Sequence, residues 1–167
     1  MFQKRPKRIA PGPGQESVWD YPRPPRLEAV RVPIRIEHNG ERLVDAAGGF
    51  RVLETSHPPT YYIRAADVDE SKVEVVAGGS VCEWKGPATY LDVVIGGERL
   101  EKVAFRYDDP TPSFRDIQGY YSFYAWPFDR VTVNDEVVTP QPGRFYSGWI
   151  TANVVGPFKG EPGTWGW

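Results

Sequence analysis

Cys82 and Lys85 are the first residues whose types and spacing could support catalysis. A cysteine attacks as its thiolate, and a nearby cation or helix N-terminus is needed to lower the thiol pKa from about 8.5. Side chains alternate along a strand, so Cys82 shares a face with Trp84 and points away from Lys85 unless the chain bends between them. We therefore predict that Cys82 packs in a strand beside Trp84. Lys85 precedes a glycine turn and is either a functional cation or a solvated surface lysine.

Glu54 is the second candidate, because the sequence predicts a carboxylate among apolar neighbours. In a strand Phe50, Val52 and Glu54 share one face, and a carboxylate on such a face is costly unless it is paired. Glu54 is therefore either the partner of a buried arginine or lysine, or an acid or base in a cleft. Ser56 and His57 are adjacent in sequence and so do not form a catalytic pair, and no Gly-x-Ser-x-Gly motif is present.

The soft and imidazole ligands of the chain are Cys82, His38 and His57, one fewer than the four that a closed structural zinc site usually takes. Neither histidine has the i, i+4 spacing of a helical metal site. A single cysteine cannot form an internal disulfide. We predict no metal and no cofactor.

The aromatic content predicts short strands and tight turns rather than long helices. The chain has 8 Phe, 9 Tyr and 6 Trp together with 17 Gly and 17 Pro, and aromatic residues favour strands while Gly and Pro favour turns. Six aromatic residues fall within residues 119–128. They either fill the space between two sheets, together with Tyr90 and Tyr107, or stack on a planar ligand.

Three hairpins are predicted, with turns at Asn39-Gly40, Gly96-Gly97 and Asn134-Asp135. A regular second hairpin would place Asp92 opposite Glu101, and two directly opposed acids are unfavourable. We therefore predict a one-residue β-bulge in this hairpin that brings Asp92 opposite Lys102.

The other elements complete a mainly β fold of antiparallel sheets. Alternating apolar residues from residue 30 predict a strand, which Pro33 assigns to a sheet edge. Helix is limited to short turns at 65–71 and 111–117. The C-terminal segment, rich in Trp, Gly and Pro, is expected to be irregular and to cover the sheets.

The chain is predicted to form a basic, proline-rich arm at 1–29 and a single domain at 30–167. Residues 1–31 carry a net charge of +4, so the remainder carries −6 within the total of −2. An acidic body argues against a broad nucleic-acid surface. The segment "SVWDYPRPPR" is expected to lie across the domain. No apolar segment is long enough to span a membrane or to form a secretory signal, which predicts a cytoplasmic protein. The oligomeric state stays open.

Three sequence blocks resemble a bacterial family catalogued as domain of unknown function 427: "RVLETSHPPTYYI", "CEWKGPATY" and "RFYSGWITANVVGPFKGEPGTWGW". The resemblance runs over about residues 30–167. It implies a mainly β fold of two antiparallel sheets in a tent-like or compact sandwich arrangement, related to zinc-stabilised ligand-binding domains whose paired cysteines are missing here. It transfers no activity. The matching blocks place candidate site residues at Arg51, Glu54, Lys85, Tyr90 and Lys159, which would line a cleft at one end of the sheets if they converge.

Two functions are compatible with these observations. In the first, the chain is a small-molecule binding or catalytic domain whose ligand is anionic. Arg51, Lys85 and Lys159 hold the anion, aromatic side chains such as Tyr62 and Tyr90 form the walls, and Glu54 orients the ligand or exchanges protons, with Lys85 as the other candidate catalytic residue. In the second, the chain is a non-catalytic interaction module that recruits a protein through its N-terminal arm.

Overall fold

The computed structural model describes residues 6–167 and confirms a mainly β fold, with 44% of residues in strands and 9% in helical turns. The helical turns are short 3₁₀ segments: Val18–Asp20, Ala65–Asp67, Glu70–Lys72 and Pro112–Ile117. The last three overlap the turns expected at 65–71 and 111–117. Among the described residues, no helix has the length and apolar character needed to cross a membrane.

The strands in the described part of the chain are, in order, β1 (Glu16–Ser17), β2 (Arg26–Val30), β3 (Ile34–His38), β4 (Glu41–Ala46), β5 (Gly49–Leu53), β6 (Thr60–Tyr62), β7 (Val73–Cys82), β8 (Gly86–Ile95), β9 (Glu98–Arg106), β10 (Tyr121–Phe123), β11 (Arg130–Val133), β12 (Glu136–Val137), β13 (Thr139–Pro140), β14 (Trp149–Ile150) and β15 (Val154–Val155).

Three antiparallel sheets form the body of the molecule. The long sheet has the order β10-β9-β8-β7, the inner sheet β12-β11-β3-β4, and the small sheet β2-β5-β6. A pair of backbone hydrogen bonds between Ile63 and Tyr121 joins the end of the small sheet to the edge of the long sheet. Two further strand pairs are short. The antiparallel pair β13-β14 lies within the C-terminal segment, and the parallel pair β1-β15 joins the N-terminal and C-terminal segments.

All three predicted hairpins are present, and each turn has two central residues with positive φ. The values are 49° and 76° at Asn39-Gly40, 56° and 78° at Gly96-Gly97, and 51° and 63° at Asn134-Asp135. Positive φ at both positions is the type I′ geometry, whose twist matches that of the flanking strands.

A bulge is present in the second hairpin as predicted, but it contains two extra residues instead of one. Val93 pairs with Leu100 and Leu91 pairs with Ala104, so three residues of β9 oppose the single residue Asp92. The Asp92 carboxylate accepts a hydrogen bond from the backbone N–H of Lys102 at 2.8 Å. The bulge thus replaces a contact between two acids with a contact between a carboxylate and an N–H donor.

The edge position assigned to the strand near Pro33 is wrong. This strand, β3, pairs with β4 on one side and with β11 on the other. It begins at Ile34, so Pro33 lies just outside it and removes no hydrogen bond from the sheet. The Pro33 carbonyl instead accepts a hydrogen bond from the Asn134 N–H.

The main core lies between the inner sheet and one face of the long sheet. Ile34, Ile36, Leu91 and Val93 are fully buried there. Trp149 closes this core: it is completely buried, its ring stacks on Tyr61 with centroids 5.0 Å apart, and its indole N–H donates to the Phe123 carbonyl at 2.9 Å. The C-terminal segment therefore covers the sheets, as expected, through one buried tryptophan.

A second cluster packs between the small sheet and the opposite face of the long sheet. Its buried members are Val52, Tyr62, Ala88, Phe105, Tyr107, Phe114 and Ile117. Apolar residues of the long sheet thus alternate between the two clusters, with Leu91 and Val93 in the first and Phe105 and Tyr107 in the second.

The N-terminal segment is part of the folded body. Val18, Trp19 and Tyr21 are buried in a third cluster, and the Trp19 indole N–H donates to the Pro157 carbonyl. A sheet strand, β2, already begins at Arg26, four residues before the expected domain boundary. The part of the arm at residues 1–5 lies outside the described residues.

Replacing Trp149 by phenylalanine should lower the free energy of unfolding by about 2–3 kcal/mol, because the change leaves a cavity and leaves the Phe123 carbonyl without its donor. Urea denaturation measures this. Trp165→Phe is the matched control, since Trp165 is 55% exposed, and should stay within about 0.5 kcal/mol of wild type. Equal effects of the two substitutions would contradict the assignment of Trp149 as the closing residue of the core.

Candidate functional site

A cavity of about 720 Å³ opens on the face of the long sheet that carries the second cluster. Its walls come from β7 and β8, from β9, from the turn after β5, and from the C-terminal segment. The residues lining it are Val52, Glu54, His57, Thr60, Tyr62, Ser80, Val81, Cys82, Glu83, Trp84, Lys85, Ala88, Tyr90, Lys102, Phe105, Tyr107, Tyr124, Trp126, Gln141, Arg144, Phe145, Tyr146, Ser147 and Lys159. Four of these residues are basic and two are acidic. The cavity lining therefore has a positive net charge, although the net charge of the whole chain is −2.

Lys85 is a buried lysine in this lining, with only 9% of its surface exposed. It lies in the turn between β7 and β8, and its ammonium nitrogen lies 5.8 Å from the centre of the Tyr107 ring and 6.0 Å from that of Phe114. Within the described chain Lys85 forms no salt bridge. Two aromatic faces compensate only part of the lost hydration of an ammonium group, so this site has an unneutralised positive charge.

Lys159 reaches the same cavity from the C-terminal segment. Its ammonium nitrogen lies 5.6 Å from the centre of the Tyr146 ring. Burial and the nearby Arg23 lower the pKa of Lys159, while Glu54 acts in the opposite direction.

Lys85 and Lys159 each lie between an aromatic residue and a glycine. In both cases the backbone conformation after the lysine requires the glycine. Gly86 has φ 96° and Gly160 has φ 150°. A Cβ atom on Gly160 would lie 1.8 Å from the Pro142 carbonyl oxygen, so the chain there can pass only without a side chain.

Glu54 and His57 are brought together by a tight turn. The His57 N–H donates to the Glu54 carbonyl at 3.0 Å, and Ser56 inside the turn has φ 72°. Hydrogen bonds hold this turn on both sides. The Ser56 N–H donates to the Val18 carbonyl, and the Ser56 carbonyl accepts from the Lys159 N–H. As a result Glu54 Oε2 lies 3.5 Å from His57 Nε2 and 4.0 Å from Arg23 Nε.

The hydrogen bonds of Gln141 determine which ring nitrogen of His57 carries the proton. Gln141 is buried, and its Oε1 accepts from the Gly148 N–H, so its Nε2 must be the donor. Nε2 donates to the Lys159 carbonyl at 2.8 Å and to His57 Nδ1 at 3.1 Å. His57 Nδ1 is therefore an acceptor, and the proton is on Nε2, which faces Glu54.

His57 is neutral at physiological pH. Burial and the positive charges of Lys159, Arg23 and Lys85 lower its pKa to about 3. Lys85 and Lys159 line the same cavity as His57, and Arg23 lies 4.0 Å from the Glu54 carboxylate that the ring faces. Sequence reasoning placed Lys85 and Lys159 as candidates but did not include His57 or Arg23.

Phenol groups line the apolar part of the cavity. The Tyr62 hydroxyl is buried and has no hydrogen-bond partner among the described residues. Burial, followed by the neighbouring Tyr107, raises the pKa of Tyr62 well above its usual value, so the group is a neutral donor. Burial and then Tyr90 raise the pKa of Tyr124 to about 12. The Tyr90 hydroxyl is paired with Ser80 at 2.8 Å.

Cys82 ends β7, is partly buried, and packs with Trp84 against the second cluster. The turn after Cys82 bends the chain, so Cys82 and Lys85 both line the cavity in spite of the strand alternation. Burial is the main cause of the raised pKa of Tyr107, and the Cys82 thiol adds to it.

Arg51 does not lie in the cavity. Its guanidinium binds Glu16 of the N-terminal segment at 2.7 Å and Glu28 of β2 at 2.7 Å. The physical reason is strand alternation, because Val52 of the same strand faces the cavity and Arg51 therefore faces away. The other five candidate site residues, Glu54, Tyr62, Lys85, Tyr90 and Lys159, all line the cavity.

Cavity residues that the sequence did not single out as candidates include His57 in the turn after β5, Lys102 in the bulge of β9, and Gln141 and Arg144 in the C-terminal segment. Lys102 was identified only as the partner of Asp92. The positions of Gln141 and Arg144 carry no recognisable sequence signal, because both depend on how an irregular segment folds over the long sheet.

Lowering the pH should destabilise the wild-type protein more than a His57→Asn variant. The folded pKa of His57, about 3, lies below the usual unfolded value of about 6.5. Between these values the unfolded chain takes up a proton that the folded chain does not, so stability falls as the pH falls. Asparagine can accept the Gln141 hydrogen bond but does not titrate.

From pH 7 to 4.5 we expect the wild type to lose roughly 2–3 kcal/mol more unfolding free energy than His57→Asn. Urea unfolding of both proteins across this range checks it. Above pH 7 the two curves should run in parallel, and parallel curves below pH 6 as well would show that His57 is not buried as the neutral form.

Comparison with known proteins identifies the family of the chain. No curated protein matches it. A family model with the description "Domain of unknown function (DUF427)" matches residues 26–134. The match covers Glu54, His57 and Lys85 and ends before Gln141 and Lys159. Because the matched residues make up more than half of the chain, the protein belongs to the DUF427 family.

Proposed function

We propose that this protein binds an anionic small molecule with a planar or apolar body in the cavity of the long sheet. The observation that carries this proposal is Lys85, a buried ammonium group that forms no salt bridge within residues 6–167 and faces two aromatic rings. A buried charge without a counter-ion destabilises a fold. A ligand anion would neutralise it, and the cavity next to Lys85 has the volume that small-molecule sites usually have.

Three further features support an anion at this position. Lys159 and Arg23 add positive charge around His57. The imidazole is neutral and presents its N–H toward Glu54 and the cavity. The buried Tyr62 hydroxyl is a donor that a ligand oxygen could satisfy.

Glu54 is the residue in this site that could exchange protons. Its carboxylate lines the cavity beside His57, and His57 is held in one tautomer by Gln141. Gln141 thus directs the His57 N–H toward the Glu54 carboxylate 3.5 Å away, and a carboxylate beside the bound ligand is suited to act as a general base. The primary function that we propose is ligand binding. Proton transfer by Glu54 to or from the bound ligand would make the same site catalytic.

Lys85→Met should weaken the binding of aromatic anions at least tenfold while leaving the fold intact. The probes are biphenyl-4-carboxylate and its neutral counterpart biphenyl-4-carboxamide, beside a panel of anionic metabolites. A probe at 100 times its dissociation constant adds about 2.7 kcal/mol to stability. For a chain of this size this corresponds to roughly 5–10 °C in a thermal-shift assay.

The matched control is Lys7→Met, since Lys7 is exposed and lies outside the cavity. Without ligand, Lys85→Met should be more stable than wild type by about 1 kcal/mol, because a buried charge is removed. Anion binding that is equal in wild type, Lys7→Met and Lys85→Met would disprove the proposed role of Lys85. Equal shifts from the carboxylate and the carboxamide would disprove the preference for anions.

A further inference from the structure

Lys102 has an unusual backbone conformation at the edge of the cavity. Its φ is 49°, in the left-handed region, where a residue with a side chain is disfavoured relative to glycine. Unlike the hairpin residue Asn39, Lys102 lies inside a strand, within the bulge of β9. Strained residues of this kind persist only where the surrounding structure holds them, and they cluster at functional sites.

The bulge changes the direction of Lys102. In a regular strand residues 100, 102 and 104 would share one face, and both Leu100 and Ala104 face the main core. A regular strand would therefore direct the Lys102 side chain into the core. In the bulge Val103 takes the core position, with 1% exposure, and Lys102 lines the cavity instead.

A buried carboxylate holds this bulge in place. Asp92 is 6% exposed, and its two oxygens accept hydrogen bonds from the Lys102 N–H at 2.8 Å and from Arg99 at 3.0 Å. Bulges are frequent next to active sites, where they redirect a side chain. The Lys102 ammonium itself forms no salt bridge within the described chain.

Lys102 has a basic and aromatic neighbourhood. Strand β10 pairs with β9 through Phe123 and Ala104, and the Tyr124 N–H donates to the Val103 carbonyl, so residues 124–126 run beside the bulge. Trp126 lines the cavity there, and the Arg144 guanidinium stacks on its ring at 4.3 Å. Lys102, Trp126 and Arg144 form what we call the outer end of the cavity.

Lys85 and the outer end line different parts of the same cavity. Lys85 lies on the Tyr107 ring, and Tyr107 is five residues from Lys102 along the same chain direction. At about 3.3 Å per residue of extended chain, the Cα atoms of Lys102 and Tyr107 are on the order of 15 Å apart. The wall between them consists of Phe105, Tyr90 and other aromatic residues.

We propose that Lys102 and Arg144 form a second anion subsite, so that the ligand is elongated and carries an anionic group at each end of an apolar or planar body. This inference rests on the proposed function, in which Lys85 binds the first anionic group. Lys102 then determines specificity: it selects ligands with two anionic groups over ligands with one.

The test compares three aromatic diacids of increasing length with their monoacids: terephthalate, biphenyl-4,4′-dicarboxylate and stilbene-4,4′-dicarboxylate against benzoate, biphenyl-4-carboxylate and stilbene-4-carboxylate. Affinities are measured by calorimetry at low salt on wild type, Lys102→Met, Lys85→Met and the control Lys7→Met. In the wild type, at least one diacid should bind tenfold or more tightly than its monoacid. Lys102→Met should reduce this gain below threefold without changing the affinity of the monoacid, whereas Lys85→Met should weaken both.

A second variant, Lys102→Gly, separates binding from folding. Glycine adopts positive φ without strain, so this variant should lose the diacid gain and melt about 2–4 °C higher than wild type. If the monoacids bind but no diacid binds more tightly, or if Lys102→Met keeps the full gain, the second subsite is disproved and the proposed function stands. If neither class of acid binds to the wild type, both proposals fail.

Discussion

The site depends on one buried amide, that of Gln141. Its oxygen is fixed by the Gly148 N–H, and its nitrogen bonds both the Lys159 carbonyl and His57 Nδ1. Three segments that are distant in sequence are thus joined at one side chain in a position where every hydrogen bond must be satisfied. The same contacts set the His57 tautomer and hold the backbone of Lys159. Gly148 can approach this closely because it has no side chain. A Cβ atom at this position would lie 2.6 Å from Gln141 Oε1.

The N-terminal segment also stabilises the site, through hydrogen bonds to the turn after β5. The Val18 carbonyl accepts from the Ser56 N–H, the Tyr21 carbonyl accepts from the Thr55 hydroxyl, and Arg23 donates to the Thr55 carbonyl. These bonds hold the turn that carries Glu54 and His57. The segment expected to lie across the domain therefore supports a turn of the cavity wall from outside the lining, and Val18 is buried in the third cluster. A protein partner that pulled this segment away would also disturb the site.

The sequence predicted the parts of the fold that local rules determine. Type I′ turns have a strong dipeptide signal, and the bulge followed from the cost of placing Asp92 opposite Glu101. Lys85 was a candidate because of the turn that follows it and Lys159 because of the family resemblance, and both line the cavity. Arg51 was misplaced although alternation already put it on the other face from Glu54. The roles of His57 and Gln141 could not be predicted, because they depend on long-range contacts between segments that have no regular periodicity.

Three unfavourable features of the molecule occur in residues that line the cavity. Lys85 is a buried charge without a salt bridge, Tyr62 has a buried hydroxyl without a partner, and Lys102 has a strained backbone. Each lowers stability, and each would be easy to relieve by a single substitution. Elsewhere in the described fold, local preference and tertiary structure agree in the three hairpins, whereas the hydroxyls of Tyr21, Ser56 and Ser122 are buried without a hydrogen-bond partner among the described residues. Several costly features beside one cavity are the reason why we propose, rather than conclude, that the cavity binds a ligand.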